Sequence, residues 1–295
     1  MTYHDAFNSP DAGPPAGYVP PVDASRLTGR VAIVTGAGSR TSDIGNGRAS
    51  AILLAQRGAR VLLLDAMLAS AQETKRMIEV EGGVSMALQS DVSRPDDCRA
   101  AVAAAVEAWG RVDILVNNVG IGGPPGNAVE VDIDEWDAAL RVNVTSMMLM
   151  AKHAIPEMRK RQAGAIVNIA SVAGLRGGTP ALLYPVTKGA VVNMTRAMAA
   201  QHGTEGIRVN CVAPGMVYTP MVAGRMTPQA REQRRLRSLL QTEGSGWDVG
   251  HAVAYLASDE ARWVTGVILP VDAGATAGRE PSPTLSSDPA TVARR

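Results

Sequence analysis

The sequence predicts a single doubly wound α/β domain with a mainly parallel sheet of about seven strands and helices on both faces. Three observations favour this fold. Apolar runs of strand length alternate with segments of helical length along most of the chain. The first run, 31–35, is uninterrupted and rich in β-branched residues, as in a strand buried on both faces. Polar residues directly follow several runs, at the sheet edge where ligands bind in this class of fold.

Composition limits the classes of function. The chain has 295 residues, of which 46% are hydrophobic and 19% charged, as expected of one globular domain with tails. A formal net charge of +1 argues against nucleic-acid binding, and the most basic stretch, 231–237, is interpreted as a solvated helix face. Cys98 and Cys211 are interpreted as reduced, packed thiols. With neither a signal peptide nor a membrane-spanning run recognised, we expect a cytoplasmic protein without membrane association.

The expected domain covers residues 28–276. Residues 1–27 are proline-rich and are interpreted as an arm, and residues 277–295 as a solvated tail. Periodicity predicts strands at 31–35, 60–65, 84–91, 112–116, 165–170, 207–212 and 266–271, and helices at 48–58, 66–81, 94–109, 136–161, 179–200 and 249–258.

Four glycines follow the first strand at once, at positions 36, 38, 45 and 47, and a helix begins after them. A strand, a glycine-rich turn and a helix in this order place backbone N–H groups against a pyrophosphate. Eight residues separate Gly36 from Gly45, so neither G-x-G-x-x-G nor T-G-x-x-x-G-x-G is matched. A glycine-rich connection that binds nothing is therefore the alternative.

An acidic residue at the end of the second strand, Asp65, indicates which dinucleotide is bound. A carboxylate there accepts hydrogen bonds from the adenosine ribose and repels a 2′-phosphate, which favours NAD over NADP. Arg40 in the glycine loop is the competing observation, because a guanidinium can bind that phosphate. Asp91, Val92 and Asn118 follow two further strands, although caps and turns explain a lone Asp or Asn equally well.

Tyr184 and Lys188 lie four residues apart in a predicted helix, so their side chains project from one face. A nearby cation favours the phenolate and lowers the tyrosine pKa toward the working range. Ser171 follows a predicted strand thirteen residues upstream; a cap or turn residue is its alternative interpretation. Thr179 is expected to cap the helix and Pro180 to begin it, which puts Pro185 at the end of the first turn.

Other catalytic arrangements fit poorly. No G-x-S-x-G turn surrounds Ser171, which argues against a Ser-His-Asp hydrolase. His153, His202 and His251 are scattered along probable helices without metal-ligand spacing, so no metal is expected.

Taken together, these motifs resemble the short-chain dehydrogenase/reductase superfamily, a group of Rossmann-fold enzymes. The resemblance covers about residues 27 to 274, and the residues that carry it are Thr35-Gly36, Asn117-Asn118-Val119-Gly120, Asn143, Ser171, Tyr184-Pro-Val-Thr-Lys188 and Pro214-Gly215. The lengthened glycine loop is similar to that of the enoyl reductase branch, whereas the catalytic residues are those of the carbonyl and alcohol enzymes.

The resemblance implies a role for each residue. Tyr184 would be the general acid/base, Lys188 would lower its pKa and hold the nicotinamide ribose, Ser171 would orient the substrate oxygen, and Asn143 would complete a water-linked proton relay. The cofactor contacts would come from Gly36, Arg40, Ile44, Gly45, Asp65, Asp91, Val92, Asn118, Val217 and Thr219, together with Tyr184 and Lys188. Residues 216–240, rich in methionine, resemble a substrate lid. A homotetramer, packed through helices 94–109 and 136–161, or a homodimer is implied as well.

The expected function is hydride transfer between NAD(H) and a secondary alcohol or ketone, with a small to medium apolar or cyclic substrate. An NADP-dependent 3-oxoacyl-type reductase is one alternative. A lyase or epimerase that uses the same tyrosine without net redox change is another. A dinucleotide-binding regulatory protein without turnover is the third.

Overall fold

The structure, a computed structural model, describes residues 23–39, 41, 43–220 and 226–278. Its strands are β1 (Val31–Thr35), β2 (Arg60–Asp65), β3 (Val84–Gln89), β4 (Ile114–Asn117), β5 (Gly164–Ile169), β6 (Ile207–Pro214) and β7 (Ile268–Val271). Its helices include α1 (Asn46–Gln56), α2 (Leu68–Val80), α3 (Pro95–Trp109), α4 (Ile133–Leu140), α5 (Ser146–Arg159), α6 (Leu183–His202), α7 (Pro228–Arg235) and α8 (Gly246–Ala257). The arm, most of the tail and part of the expected lid lie outside the described residues.

The strands form one seven-stranded sheet in the order β3-β2-β1-β4-β5-β6-β7, and every neighbouring pair is parallel. This confirms the predicted fold class. The chain order of the strands reverses between β1 and β4, so the crossover connections leave the sheet in opposite directions there. A crevice opens at the carboxyl ends of strands at such a switch point.

Two hydrophobic layers cover the sheet, and alternate residues of each central strand enter opposite layers. In β1, Ala32 and Val34 pack into the layer that holds α1 and α8, whereas Val31 and Ile33 pack into the layer that holds α3 and α5. A strand buried on both faces has no polar face, which explains the uninterrupted apolar run. The two layers hold the carboxyl ends of the central strands in fixed register.

The predicted helix 136–161 is divided in the structure. The π-helical segment Arg141–Thr145 separates α4 from α5. A π turn inserts one residue into the helical hydrogen-bond ladder, so the side chain at position 143 is rotated relative to a continuous helix. In the described part of the chain, no helix is long and apolar enough to cross a membrane.

Candidate active site

The carboxyl ends of β1, β4 and β5 meet at one edge of the sheet and bring three predicted groups together. Gly36 follows β1 directly, Asn118 follows β4 directly, and Ser171 stands two residues beyond β5. Helix α6 begins near this edge and carries Tyr184 and Lys188 in its first two turns. The edge therefore combines the glycine loop with the candidate catalytic side chains.

Lys188 is almost completely buried, with a relative exposure of 3%. Its Nζ donates a hydrogen bond of 2.9 Å to the carbonyl oxygen of Ile169, the last residue of β5. The same Nζ lies 5.7 Å from the centre of the Tyr184 ring. The ammonium thus connects α6 to the sheet while it stands beside the phenol.

Ser171 combines the two roles that its sequence position suggested. Its Oγ accepts a hydrogen bond of 3.2 Å from the N–H of Ala173 and caps the short 3₁₀ turn Val172–Gly174. Its side chain also lies near enough to Tyr184 to lower the pKa of the phenol. The cap fixes the position of the serine at the start of this turn.

Gly174 allows the serine turn to approach α6. An ideal Cβ at this glycine would lie 2.5 Å from the carbonyl carbon of Lys188, closer than any side chain tolerates. The turn that carries Ser171 therefore packs directly on the backbone of α6.

The predicted start of the catalytic helix is wrong. The helix begins at Leu183 rather than at Pro180, and the Thr179 hydroxyl donates to the carbonyl oxygen of Ala181 instead of capping the helix. The N–H of Leu182 donates to the carbonyl oxygen of Gly126, which holds this segment in place. Pro185 consequently occupies the third helical position, where its missing N–H would have had no intrahelical acceptor.

Asn143 is fully buried, and its side chain is occupied by hydrogen bonds within the protein. Oδ1 accepts from the N–H of Ile121 at 2.8 Å, and Nδ2 donates to the Ile121 carbonyl at 2.9 Å and to Thr187 Oγ1 at 3.1 Å. The Thr187 hydroxyl in turn donates to the Tyr184 carbonyl at 2.9 Å. A continuous chain of hydrogen bonds thus joins the segment after β4 to the first turn of α6.

Burial governs the protonation of both catalytic candidates. Burial raises the pKa of Tyr184 above its usual range, and the nearby Ser171 side chain opposes this shift. Burial lowers the pKa of Lys188 to about 8. In the protein alone, desolvation of the phenol is the main cause of the shift, so the expected lowering of the tyrosine pKa by Lys188 stays a prediction.

The glycine loop approaches its neighbours too closely for a side chain at position 47. An ideal Cβ at Gly47 would lie 2.0 Å from the carbonyl oxygen of Gly36 and 2.5 Å from Asn118 Nδ2. Asn118 Nδ2 donates to the carbonyls of Thr35 and Gly36 at 3.2 and 3.0 Å. Asn118 thus holds the start of the loop beside the N-terminus of α1, where Gly45 is the N-cap residue.

Asp65 lies at the predicted strand end and faces the glycine loop. Its Oδ2 accepts from the N–H of Gly38 at 3.0 Å, and its Oδ1 accepts from the N–H of Met67 at 2.9 Å. Two backbone donors hold the carboxylate in place at the half-buried end of β2. Arg40, the predicted competitor for the cofactor ribose, lies outside the described residues.

The residues predicted after β3 are engaged in local structure. Asp91 Oδ1 accepts from the N–H and the hydroxyl of Ser93 at 3.0 and 2.7 Å, which is the turn role weighed as its alternative. Val92 is buried, and its carbonyl accepts from the Cys98 thiol. Burial raises the pKa of Cys98 to about 11, so the thiol is protonated.

On the other side of the crevice, Val217 is buried and Thr219 is half-buried, both just after β6. Arg234 of α7 donates to the Val217 carbonyl at 3.4 Å, and the Arg231 guanidinium lies 3.7 Å from the centre of the Tyr218 ring. Most of residues 231–237 are exposed, which agrees with a solvated face, although the Arg231 and Arg234 side chains also contact the segment after β6. Of the predicted lid, residues 221–225 lie outside the described residues.

Sequence reasoning missed three residues of this region: Arg48, Gly174 and Thr187. Gly174 and Thr187 act through contacts with α6 that depend on how the chain folds back, and nothing in their local pattern indicates them. Arg48 had a weak signal, since an arginine two residues into the apolar face of a buried helix requires partners.

The chain is similar to a family model and to several named dehydrogenases. The family model described as enoyl-(acyl carrier protein) reductase matches residues 41–276. Cis-4-hydroxycyclohexanecarboxylate dehydrogenase of Sinomonas cyclohexanicum is 38% identical, over 84% of this chain and 97% of the relative. Meso-2,3-butanediol dehydrogenase of Serratia marcescens is 37% identical, over 85% of this chain and 96% of the relative.

Solved structures agree with these relatives. A candidate short-chain dehydrogenase/reductase from Burkholderia xenovorans superposes with a TM-score of 0.82 at 40% identity, over 86% of this chain and 99% of that chain. Levodione reductase superposes with a TM-score of 0.80 at 32% identity, over 86% of this chain and 100% of that chain.

We expect Thr187→Val to be less stable than Thr187→Ser. The valine preserves the volume but leaves one N–H of the buried Asn143 amide without its acceptor and removes the side-chain hydrogen bond to the Tyr184 carbonyl, a loss of about 1 to 3 kcal/mol. The serine loses one buried methyl group but keeps both hydrogen bonds. Chemical denaturation of the two variants measures the difference; a valine variant at least as stable as the serine variant would contradict this assignment.

The pH dependence of stability should report the buried Lys188. Its folded pKa of about 8 lies below the usual 10.5, so the unfolded chain binds more protons between these two pH values. Relative to Lys188→Met, the wild-type protein should therefore gain about 3 kcal/mol of unfolding free energy as pH rises through this window. Thermal unfolding at a series of pH values measures this gain.

The control for this experiment is Lys160→Met, since the Lys160 side chain is exposed. The unfolding free energy of Lys160→Met, plotted against pH, should run parallel to that of the wild type. A Lys188→Met curve that is also parallel would show that burial leaves the ammonium unperturbed.

Proposed function

This chain belongs to the short-chain dehydrogenase/reductase superfamily, and on that basis we propose that it transfers a hydride between NAD(H) and a small to medium secondary alcohol or ketone. It is an NAD(P)-dependent oxidoreductase that acts on alcohol groups. The choice of NAD, the substrate class and the residue roles are the parts that we propose.

The observation that carries the proposal is the convergence of Ser171, Tyr184 and Lys188 at the edge that also holds the glycine loop. The serine side chain lies near enough to Tyr184 to lower its pKa, and the buried ammonium lies 5.7 Å from the centre of the same ring. Two hydroxyl groups near one another can bind a single substrate oxygen together. That geometry suits an alcohol or carbonyl oxygen on which charge develops during the reaction.

The protein residues fit a dinucleotide at this edge. The glycine loop leads into the N-terminus of α1, Asp65 is held at the end of β2, and Lys188 and Val217 border the catalytic end. When bound, the dinucleotide supplies the hydride donor or acceptor and, in its oxidised form, a positive charge that favours the phenolate. The chain itself handles the proton.

In ketone reduction, the neutral Tyr184 phenol donates its proton to the substrate oxygen while Ser171 holds that oxygen by a hydrogen bond. The raised tyrosine pKa keeps the phenol protonated at neutral pH, which suits this direction. In alcohol oxidation, the phenolate must accept the proton, and the positive Lys188 stabilises it. Because Lys188 loses its charge above about pH 8, this stabilisation weakens at higher pH.

We propose that Asn143 takes part in the proton relay through its main chain only. Both ends of its side chain are bonded to Ile121 and Thr187, so the side chain positions the segment after β4. A proton relay at this residue would therefore use its main-chain carbonyl oxygen, in the π-helical segment, and not its side chain.

Support for a small, apolar or cyclic substrate comes from the relatives and from the space near Ser171. The names of the relatives specify a hydroxycyclohexane carboxylate and butanediol. At Gly177 and Gly178, no atom of the described residues lies within 4 Å of an ideal Cβ. We propose that this open segment, with the methionine-containing lid, admits such a substrate.

The domain limits and assembly remain part of the proposal. The match to the family model ends at residue 276, which supports a domain over residues 28–276 with an arm and a tail. A homotetramer or homodimer is the assembly that we propose.

The central experiment assays the purified protein with NAD and a panel of secondary alcohols, with the corresponding ketones and NADH, and with an enoyl thioester. We expect a change in reduced-nicotinamide absorbance with the alcohols and ketones. Tyr184→Phe should lower kcat/KM by about 100-fold or more, because the proton donor and acceptor is lost. Tyr255→Phe, on the outer side of α8, should leave the rate unchanged.

Three other results would contradict the proposal. Turnover of the enoyl thioester alone would favour reduction of a carbon–carbon double bond. Product without a change in the nicotinamide spectrum would favour a lyase or epimerase. Cofactor binding without turnover on the whole panel would favour a regulatory protein.

Asp65→Asn should shift the cofactor preference toward NADP. The amide keeps the size of the side chain but removes the charge that repels a 2′-phosphate. We expect the ratio of kcat/KM for NADP to that for NAD to rise by about 10-fold or more. Asp96→Asn, at an exposed position on α3, is the control, and equal ratios in both variants would count against Asp65 as the selector.

A further inference from the structure

The glycine loop between β1 and α1 is longer than the common dinucleotide-binding turns, and an arginine of α1 holds it from beneath. Arg48 lies in the first turn of α1 and is 1% exposed. Its Nη1 donates to the carbonyl oxygens of Thr41 and Asp43 at 3.2 and 3.1 Å. One buried side chain thus binds two main-chain carbonyls in the part of the loop that lies between Gly38 and Gly45.

A second connection joins the same guanidinium to the beginning of the loop. Arg48 Nε donates to Thr74 Oγ1 at 3.0 Å, and this hydroxyl donates to the carbonyl oxygen of Ala37 at 2.8 Å. Thr74 is fully buried in α2. Arg48 therefore fixes the loop at both ends, directly near Asp43 and through α2 near Ala37.

These bonds determine which way the loop amides point. In a trans peptide unit the carbonyl and the N–H point in opposite directions. The Asp43 carbonyl points inward to Arg48, so the N–H of Ile44 points away from the buried guanidinium. Ile44 directly precedes Gly45, the N-cap of α1, where further N–H groups point out of the helix. Outward N–H groups beside a helix N-terminus attract a phosphate.

A buried guanidinium is costly unless its donors are bonded and its charge is balanced. Burial lowers the pKa of Arg48, and the nearby carboxylates of Glu73, Asp65 and Asp43 oppose this shift. An apolar residue at this position could fill the space but could not bind the carbonyls. The observed bonds therefore give the arginine a specific role in the shape of the loop.

We infer that Arg48 is a positioning residue, which shapes the lengthened glycine loop so that its amides can hold the pyrophosphate of the dinucleotide. The inference rests on the proposed function, because it presumes that this loop binds a dinucleotide. Arg48 itself does not touch the cofactor in this assignment. Other dinucleotide-binding turns have a tighter glycine spacing. In this chain the buried Arg48 side chain holds the longer loop in shape.

A direct contact between Arg48 and the 2′-phosphate of NADP is the competing role. Its burial and its bonds to Thr41, Asp43 and Thr74 argue against this. The two roles predict different results: loss of a 2′-phosphate contact weakens NADPH alone, whereas loss of loop shape weakens NADH and NADPH by the same factor.

The test measures binding rather than turnover. NADH and NADPH are titrated by the fluorescence of the bound reduced nicotinamide, and ADP-ribose, which has the pyrophosphate but no nicotinamide, by calorimetry. The variants are Arg48→Met, which keeps the length of the side chain, and Arg48→Lys, which keeps the charge but not the fork. Arg76→Met on α2, an exposed arginine, is the matched control.

We expect Arg48→Met to weaken binding of NADH, NADPH and ADP-ribose by a common factor of about 10- to 100-fold. Arg48→Lys should be intermediate, and Arg76→Met should match the wild type. With saturating NAD, kcat of Arg48→Met should stay within about threefold of the wild type, because the catalytic groups are untouched. Unchanged ADP-ribose binding in Arg48→Met, or a loss confined to NADPH, would overturn the inference.

A second pair of variants covers the case in which Arg48→Met does not fold. Thr74→Val removes the hydroxyl between Arg48 and Ala37, and Thr74→Ser keeps it. The valine variant should bind ADP-ribose about 3- to 10-fold more weakly than the serine variant. Equal affinity of a folded pair would overturn the inference. Failure of the wild-type protein to bind NADH and ADP-ribose would instead refute the proposed function.

Discussion

The hydrogen bond from the Lys188 ammonium to the Ile169 carbonyl is the interaction on which the geometry of the site depends. It joins the catalytic helix to the end of a central strand with a charged group that water barely reaches. A buried cation tolerates only an environment that supplies acceptors and close packing. Gly120 allows the close packing, because a Cβ at this position would lie only 3.1 Å from the Lys188 Nζ. The segments after β4 and β5 therefore close around one amine.

Two asparagines support the site through hydrogen bonds to main-chain atoms near the strand ends. Asn118 binds the carbonyls at the end of β1, and Asn143 binds both main-chain groups of Ile121. Main-chain atoms at strand ends move little because the sheet holds their register. Side chains anchored to them fix the loops around Ser171 and Tyr184, which remain half-buried and accessible.

Charge is arranged differently at the two ends of the crevice. At the catalytic end, a buried ammonium stands beside a neutral phenol, and the shifts in their pKa values have a common cause in desolvation. At the glycine loop, the buried Arg48 faces inward while the carboxylate of Asp65 is held near the surface by two backbone donors. Arg48 faces away from the loop surface and Asp65 is negative, so neither side chain binds an anion there. The loop amides are the donors that we expect an anion to contact.

What the sequence determined by itself was local or periodic: the strands, the glycine turn, the acid at the end of β2, and the placement of Tyr184 and Lys188 on one helical face. These follow from backbone geometry and from burial on both faces of a parallel sheet, which act within a few residues. Tertiary structure alone decided the start of α6 at Leu183, the roles of Thr187 and Gly174, the inward position of Arg48 and the direction of the Tyr184 pKa shift. Each of these depends on groups distant in the chain, because hydrogen bonding and desolvation are set by what packs around a residue and not by its sequence neighbours.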